Sequence, residues 1–290
     1  MVITKGCIDG SLLRLAMDTF TLSQFQLSDK VAIVTGGAGI IGSHFCKGLA
    51  DAGAQVAVVD INIDSARDLA STIGNKYDVK ASGYECDVSR PDSVKLAVSE
   101  ITQDFGHVDI LINNAATKSD DLEAFFSSFE DYELEQWRKI MAVDIDGMFL
   151  MAQAVGKQMK LQKTGGSITQ ISSVYGIVAP DQRIYDGAMY EGHKINSPAA
   201  YSVAKAGVIG LTKHLAAYWA REGIRVNSIT PGGVESGQNE SFISNYSNRV
   251  PMNRMAQAAE IVGAAIYLSS SASSYVTGQN IIIDGGLTVW

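Results

Sequence analysis

The sequence predicts an α/β domain built on one doubly wound parallel sheet with helices on both faces. Three observations carry that expectation. Short apolar runs alternate with longer amphipathic stretches from residue 31 to the C-terminus. The short runs are continuously apolar, as strands covered on both faces require. No linker, internal repeat or low-complexity tract divides the 290 residues, which suffice for one large core.

Taken in order, Val31–Val34 is a buried strand that runs into glycines, and Ile40–Ala52 carries a helical pattern. Gln55–Val59 and Asp64–Ile73 repeat the unit. Lys80–Glu85 is the weakest strand candidate, followed by a helix Pro91–Phe105 whose proline sits at the start, where its missing N–H costs nothing. Asp109–Asn113 is the next strand, and Tyr132–Lys160 reads as one long helix. Gly166–Ile171, helix Ala200–Arg221, Ile224–Ile229, helix Ala258–Ser269 and Asn280–Ile283 complete the alternation. Seven strands joined by helices imply βαβ units and a single domain over 27–290. Residues 1–26 read as an N-terminal extension. Lys5, Asp9, Arg14 and Asp18 interrupt every window that a secretory signal would need to be apolar, and Met17 offers an alternative start.

The net charge of −8 opposes binding to nucleic acid or to an anionic membrane, both of which need clustered positive charge. No apolar run is long enough to span a bilayer. Cys7, Cys46 and Cys86 are widely spaced, without CxxC or Cys/His pairing, and only four histidines are present. A reducing, cytoplasmic compartment and no metal site are expected.

Between the first strand and the first helix lies Thr35-Gly36-Gly37-Ala38-Gly39-Ile40-Ile41-Gly42. Glycines there permit a sharp turn and close approach of a pyrophosphate to the N–H groups of a helix start. Asp60 ends the second strand 18 positions beyond Gly42, where a carboxylate can accept hydrogen bonds from ribose hydroxyls and would repel a 2′-phosphate. NAD is therefore expected over NADP, with Arg67 the single nearby cation. Farther on, Tyr201 and Lys205 share one helix face at i, i+4 spacing. A tyrosine alone is a poor proton shuttle at neutral pH, and a neighbouring ammonium favours its phenolate form.

These pieces stand in order with Cys86-Asp87-Val88, Asn113-Asn114-Ala115-Ala116, Gly165–Ser173, Arg225-Val226-Asn227, Pro231-Gly232 and the closing Tyr275–Gly286. Together they resemble the single-domain branch of the short-chain dehydrogenase/reductase family along nearly the whole chain. The resemblance implies a Rossmann-like sheet, a nicotinamide cofactor and a homotetramer. It implies Tyr201 as general acid/base, Lys205 as its tuning and ribose-binding partner, and Ser173 as hydrogen-bond donor to the substrate oxygen. Gly36, Gly39, Ile40, Ile41, Asp60, Ile61, Asp87, Val88, Asn114, Ala115, Pro231, Gly232, Val234 and Ser236 would line the cofactor. The two long helical patterns would pair between subunits through Met141, Ile145, Phe149, Val208, Leu211 and Leu215.

Two departures from the family pattern stand out. Ile40 replaces a usual glycine, giving the TGxxGxxG spacing of the larger epimerase and dehydratase branch, but the 85 residues after Lys205 are too few for that branch's substrate domain. Asp144 occupies the place of a usual catalytic asparagine, so an altered proton relay is expected. Ser173 and Tyr201 are 28 positions apart. The intervening segment, 177–198, carries Asp181, Arg183, Tyr185, Tyr190, His193 and Lys194, which suit a hydroxyl-rich or anionic substrate. Around Ser173 and Pro231 the sequence is similar to flagellin-modification oxidoreductases of nonulosonic-acid pathways, which implies a sugar or sugar-phosphate alcohol. Gluconate or polyol oxidation is the nearest alternative, and a catalytically silent nucleotide-binding protein the alternative from another class.

Overall fold

The computed structural model describes residues 21–119 and 121–290. Residues 1–20 of the expected extension, with the alternative start at Met17, lie outside the described residues. Seven parallel strands form one sheet in the order β3-β2-β1-β4-β5-β8-β9: β1 Val31–Thr35, β2 Gln55–Asp60, β3 Ala81–Glu85, β4 Ile110–Asn113, β5 Gly166–Ile171, β8 Ile224–Pro231 and β9 Asn280–Ile283. The chain moves outward from β1 to β3 and then crosses back to β4 beside β1. That reversal opens a crevice at the carboxyl ends of the strands.

Both faces of the sheet are covered. On one side, α3 (Pro91–Phe105), α6 (Met148–Gln162) and α7 (Ala199–Trp219) pack Val98, Ile101, Met151, Val155, Leu215 and Trp219 onto Ile33, Leu111, Ile168 and Val226. On the other, α1 (Ile40–Asp51), α2 (Ile63–Tyr77) and α9 (Ala259–Ser269) bring Phe45, Leu49, Ile73, Ile261 and Leu268 against Val34, Val58, Ile112 and Ile229. Burial of these side chains, at roughly 1.5–3 kcal/mol each, is the main favourable term.

A third apolar cluster lies apart from the sheet. Ile184 and Ala188 meet Phe242 and Tyr246 of α8 (Glu240–Ser247), together with Val250 and Met255. The 177–198 segment therefore packs as a built element with its own two-stranded hairpin, β6 Met189–Tyr190 and β7 His193–Lys194. Its two ends are clasped: the Gln182 side chain accepts from the Ser197 N–H (3.2 Å), and its amide donates to the Ser197 carbonyl (3.0 Å).

The expected single helix Tyr132–Lys160 is corrected. After the short α4 (Leu122–Phe125), helix α5 (Leu134–Met141) gives way to a π-helical stretch Ala142–Gly147 before α6 begins. A π turn adds one residue to the helical repeat, which apolar periodicity over so long a window does not reveal. That turn contains Asp144.

Candidate active site

The crevice is built first by the glycine loop. Gly36 has φ +58°, in the left-handed region, and a Cβ there would come within 3.0 Å of the Ala115 Cα. A Cβ on Gly42 would lie 2.0 Å from the Gly36 carbonyl. Helix α1 starts at Gly39 with no side-chain cap and no acidic residue in its first turn. By contrast, Asn62, Asp121 and Asn239 cap their own helices. Free N–H groups and the positive end of the helix dipole thus face the crevice, which fits the pyrophosphate of a dinucleotide.

Thr35 organises the loop from beneath. Its hydroxyl oxygen accepts from the N–H groups of Asn114 (2.9 Å) and Ala115 (3.0 Å). The Asn114 amide in turn donates to the Thr35 carbonyl at 3.0 Å. Asn114 therefore ties the end of β4 to the glycine loop, and Thr35 is the hub that the motif reading did not single out. Asp60 closes the far side: its carboxylate accepts from the Ala38 N–H (3.0 Å) and the Asn62 N–H (3.1 Å). Ile61 beside it is exposed, as is Arg67 on α2. Asp87 accepts from the N–H and hydroxyl of Ser89, shaping the turn before α3, and Val88 is buried.

Ser173, Tyr201 and Lys205 meet in one cavity of about 470 Å³ at the carboxyl edge of the sheet. Ser173 follows the end of β5 and caps a short 3₁₀ turn, its hydroxyl accepting from the Tyr175 N–H at 3.2 Å. Tyr201 and Lys205 lie one turn apart on α7. The Lys205 Nζ is 5.6 Å from the Tyr201 ring centre and donates to the Ile171 carbonyl at 3.3 Å. Of the expected cofactor residues, Ile41, Asn114, Pro231, Gly232, Val234 and Ser236 also border this cavity. Gly36, Gly39, Ile40, Asp60, Ile61, Asp87, Val88 and Ala115 do not border it; they stand on the glycine loop and at or just beyond the ends of β2, β3 and β4.

Asp144 sits behind Lys205, fully buried. One carboxylate oxygen accepts from the Thr117 N–H at 2.9 Å, and the other lies 3.7 Å from the Lys205 Nζ with no hydrogen-bond donor of its own. Burial pushes the Asp144 carboxyl above the ordinary carboxylate range, opposed by the Lys205 ammonium and the Thr117 N–H. The residues thus form a file from Asp144 through Lys205 to Tyr201.

Of the residues singled out in the 177–198 segment, Tyr185 and Tyr190 border the cavity, and Asp181, Arg183, His193 and Lys194 do not. Arg183 does not serve the cavity: its guanidinium forks onto Asp181 (2.7 and 2.8 Å) and is 83% exposed. Arg249 reaches the same carboxylate. Instead Tyr185, Tyr190, Ile195, Asn196 and Ser197 form the wall, with Tyr190 stacked under the Lys118 ammonium at 4.1 Å. Ser236 is engaged by the Gln238 side chain at its N–H (2.7 Å) and hydroxyl (2.8 Å). Residues that sequence reading missed are Tyr246 and Phe242 of α8, whose signal was present: Asn239 caps the Phe242 N–H ahead of an apolar Phe242, Ile243, Tyr246 face. Cys46 and Cys86 are buried, and burial pushes both thiols up, the second to about 11, which makes them inert packing groups. Among the described residues no cluster of His, Cys, Asp or Glu is placed to hold a metal, and no helix is long and apolar enough to cross a membrane.

Comparison with known proteins gives the family. A family model described as enoyl-(acyl carrier protein) reductase matches residues 36–288. The D-threitol dehydrogenase of Mycolicibacterium smegmatis is 35% identical over 270 residues, covering 91% of this chain and 95% of that protein. The NADP-dependent mannitol dehydrogenase of Alternaria alternata is 36% identical over 275 residues, covering 91% and 94%. Among solved structures, a gluconate 5-dehydrogenase from Burkholderia cenocepacia, in complex with NADP and tartrate, superposes with a TM-score of 0.82 at 32% identity, covering 93% and 99%.

Proposed function

The chain belongs to the short-chain dehydrogenase/reductase family, an oxidoreductase acting on alcohol and ketone groups with a nicotinamide cofactor, and on that premise we propose that it interconverts a secondary alcohol of a small polyol or sugar with its ketone, using NAD. The observation that carries the reading is the convergence of Ser173, Tyr201 and Lys205 on one cavity beside an uncapped helix end.

A bound nicotinamide supplies the hydride acceptor or donor. The chain supplies the rest. The Tyr201 phenol oxygen takes the proton of the substrate hydroxyl during oxidation and returns it during reduction. The Ser173 hydroxyl donates to the substrate oxygen where negative charge develops. The Lys205 ammonium, which donates to the Ile171 carbonyl and lies 3.7 Å from Asp144, stands 5.6 Å from the Tyr201 ring centre on the same helix face. Asp144 carries the relay role that an amide fills elsewhere in the family. Gly36, Gly39, Ile40 and Ile41 hold the pyrophosphate, Asp60 and Ile61 the adenosine ribose, Asp87 and Val88 the adenine. Asn114, Ala115, Pro231, Gly232, Val234 and Ser236 flank the nicotinamide half.

The preference for NAD rests on the Asp60 carboxylate, pinned beside the glycine loop through the Ala38 N–H. The preference for a polyol rests on the cavity wall, which among the described residues has several phenols, hydroxyls and amides and no carboxylate. The related threitol and mannitol dehydrogenases support the same choice, and we follow them over the narrower flagellin-modification resemblance. We also place the protein in the cytoplasm, with the Cys46 and Cys86 thiols free, as a homotetramer. Phe149, Leu161 and Tyr218 stand exposed on α6 and α7 for such an interface, whereas Val208 and Leu215 are buried within the chain.

The test is absorbance of reduced nicotinamide across a panel of tetritols, pentitols, hexitols and aldonates with each cofactor. Turnover of a polyol with NAD is expected. Tight NAD binding without turnover of any alcohol or ketone would overturn the reading. Light scattering that gives a monomer mass would overturn the assembly.

A further inference from the structure

Five tyrosines border the cavity that holds Ser173: Tyr175, Tyr185, Tyr190, Tyr201 and Tyr246. Three of them have other contacts. Tyr201 stands over Lys205. The Tyr246 hydroxyl accepts from the Gly233 N–H, and the Tyr190 ring lies under the Lys118 ammonium. Tyr175 and Tyr185 remain, both on the wall of this cavity and both packed on the apolar cluster of Phe242 and Tyr246.

Both rings are fixed before any ligand enters. Tyr175 is set by the turn that Ser173 caps, through its own N–H. Tyr185 packs on Phe242 with ring centres 5.4 Å apart. Its preceding residue, Ile184, is buried and accepts at its carbonyl from the Asn245 amide. The Gln182–Ser197 clasp closes the segment on either side. A Phe at either position would pack equally well against this apolar cluster, so packing does not account for the hydroxyls. A buried phenol that borders a cavity keeps its O–H for a partner.

We propose that Tyr175 and Tyr185 are specificity-determining residues, a paired phenol wall that hydrogen-bonds substrate hydroxyls on carbons next to the reacting one and so selects polyols over simple alcohols. The inference rests on the polyol reading above and deepens it. Burial pushes both phenols up, so they stay neutral donors throughout the working pH range. Their contribution is therefore to substrate binding and is independent of the proton transfer at Tyr201. Neighbouring hydroxyls on a polyol are mutual donor–acceptor groups, which matches a pair of phenols each able to donate once and accept.

The test compares Tyr185→Phe, Tyr175→Phe and the double variant with the wild type, using a tetritol or hexitol that the wild type oxidises and butan-2-ol as a substrate without further hydroxyls. One neutral hydrogen bond corresponds to about three- to tenfold in binding. Each single variant is expected to raise KM for the polyol by that factor with kcat nearly unchanged. The double variant is expected to raise it at least tenfold, while kcat/KM for butan-2-ol and the acid limb of its pH profile stay put. Quenching of protein fluorescence by NADH reports that the variants are folded. Equal losses on polyol and butan-2-ol would assign the pair a merely structural role and overturn the proposal, as would unchanged polyol KM. A wild type that turns over butan-2-ol but no polyol would overturn the substrate reading itself, and this inference with it.

Discussion

Replacing Asp144 by Asn keeps the shape of the side chain and removes the negative charge that Asp144 carries when it is ionised. Asp144 lies 3.7 Å from the Lys205 Nζ, which is itself 5.6 Å from the Tyr201 ring centre. Laid end to end, those separations put the carboxylate no more than about 9.3 Å from the Tyr201 ring centre, and with the phenol oxygen beyond it, at up to roughly 12 Å, a unit charge at an effective dielectric near 20 contributes about 1.4 kcal/mol. That is about one pH unit at about 1.4 kcal/mol per unit. The sign follows from charge: a carboxylate disfavours the phenolate that oxidation requires, so its removal makes the active form available at lower pH. The acid limb of kcat/KM for alcohol oxidation should move down by about one unit in Asp144→Asn. The assay is the pH profile of NADH formation from pH 5 to 10. An unmoved limb, or one moved upward, would refute the argument that Asp144 acts on Tyr201 through its charge.

Tyr201→Phe should lower kcat at least about a hundredfold, as loss of a general base does, while NADH binding measured by fluorescence stays within a few-fold. Asp60→Ala should shift the ratio of kcat/KM for NADP over NAD upward by about tenfold or more, because the repulsive carboxylate is gone and each tenfold is about 1.4 kcal/mol. Gly42→Ala places a Cβ 2.0 Å from the Gly36 carbonyl; a cost of about 1–3 kcal/mol should appear as a lower melting temperature and weaker NAD binding. The Asp181 carboxyl is held at about 2, first by its hydrogen bonds from the Arg183 side chain. Its depressed value means the stabilisation is present above the ordinary carboxylate range and is lost as pH falls towards 2. Pepsin should therefore cut within 177–198 readily at pH 2 and slowly at pH 4.

The sheet was legible because each strand is a short apolar run between turn residues, and burial on both faces leaves little ambiguity. The weakest run, at β3, reads poorly for a packing reason: at Gly83 a Cβ would lie 2.5 Å from the Arg67 N, so a β-former cannot stand there. The hairpin within 177–198 was not legible. Its strands are two residues long, and its turn uses Glu191 (φ +48°) with Gly192 (φ +83°) instead of the Asn-Gly or Asp-Gly signal. The Ser173, Tyr201 and Lys205 convergence followed from motif order once the strands were placed. The position of Asp144 behind Lys205 depends on a π turn that periodicity cannot register, and the engagement of Arg183 by Asp181 depends on a local turn with no long-range signal.

The apolar cluster that carries Tyr185 is separate from the two cores that hold the sheet. That separation makes the substrate reader an interchangeable part. Changes at Ile184, Ala188 or Val250 fall in the cluster behind Tyr185 and outside the two cores under the sheet, and distant changes add nearly independently. Descent from one ancestor could therefore yield a lineage of catalysts with diverse appetites and a common chemistry, each new diet costing the scaffold little.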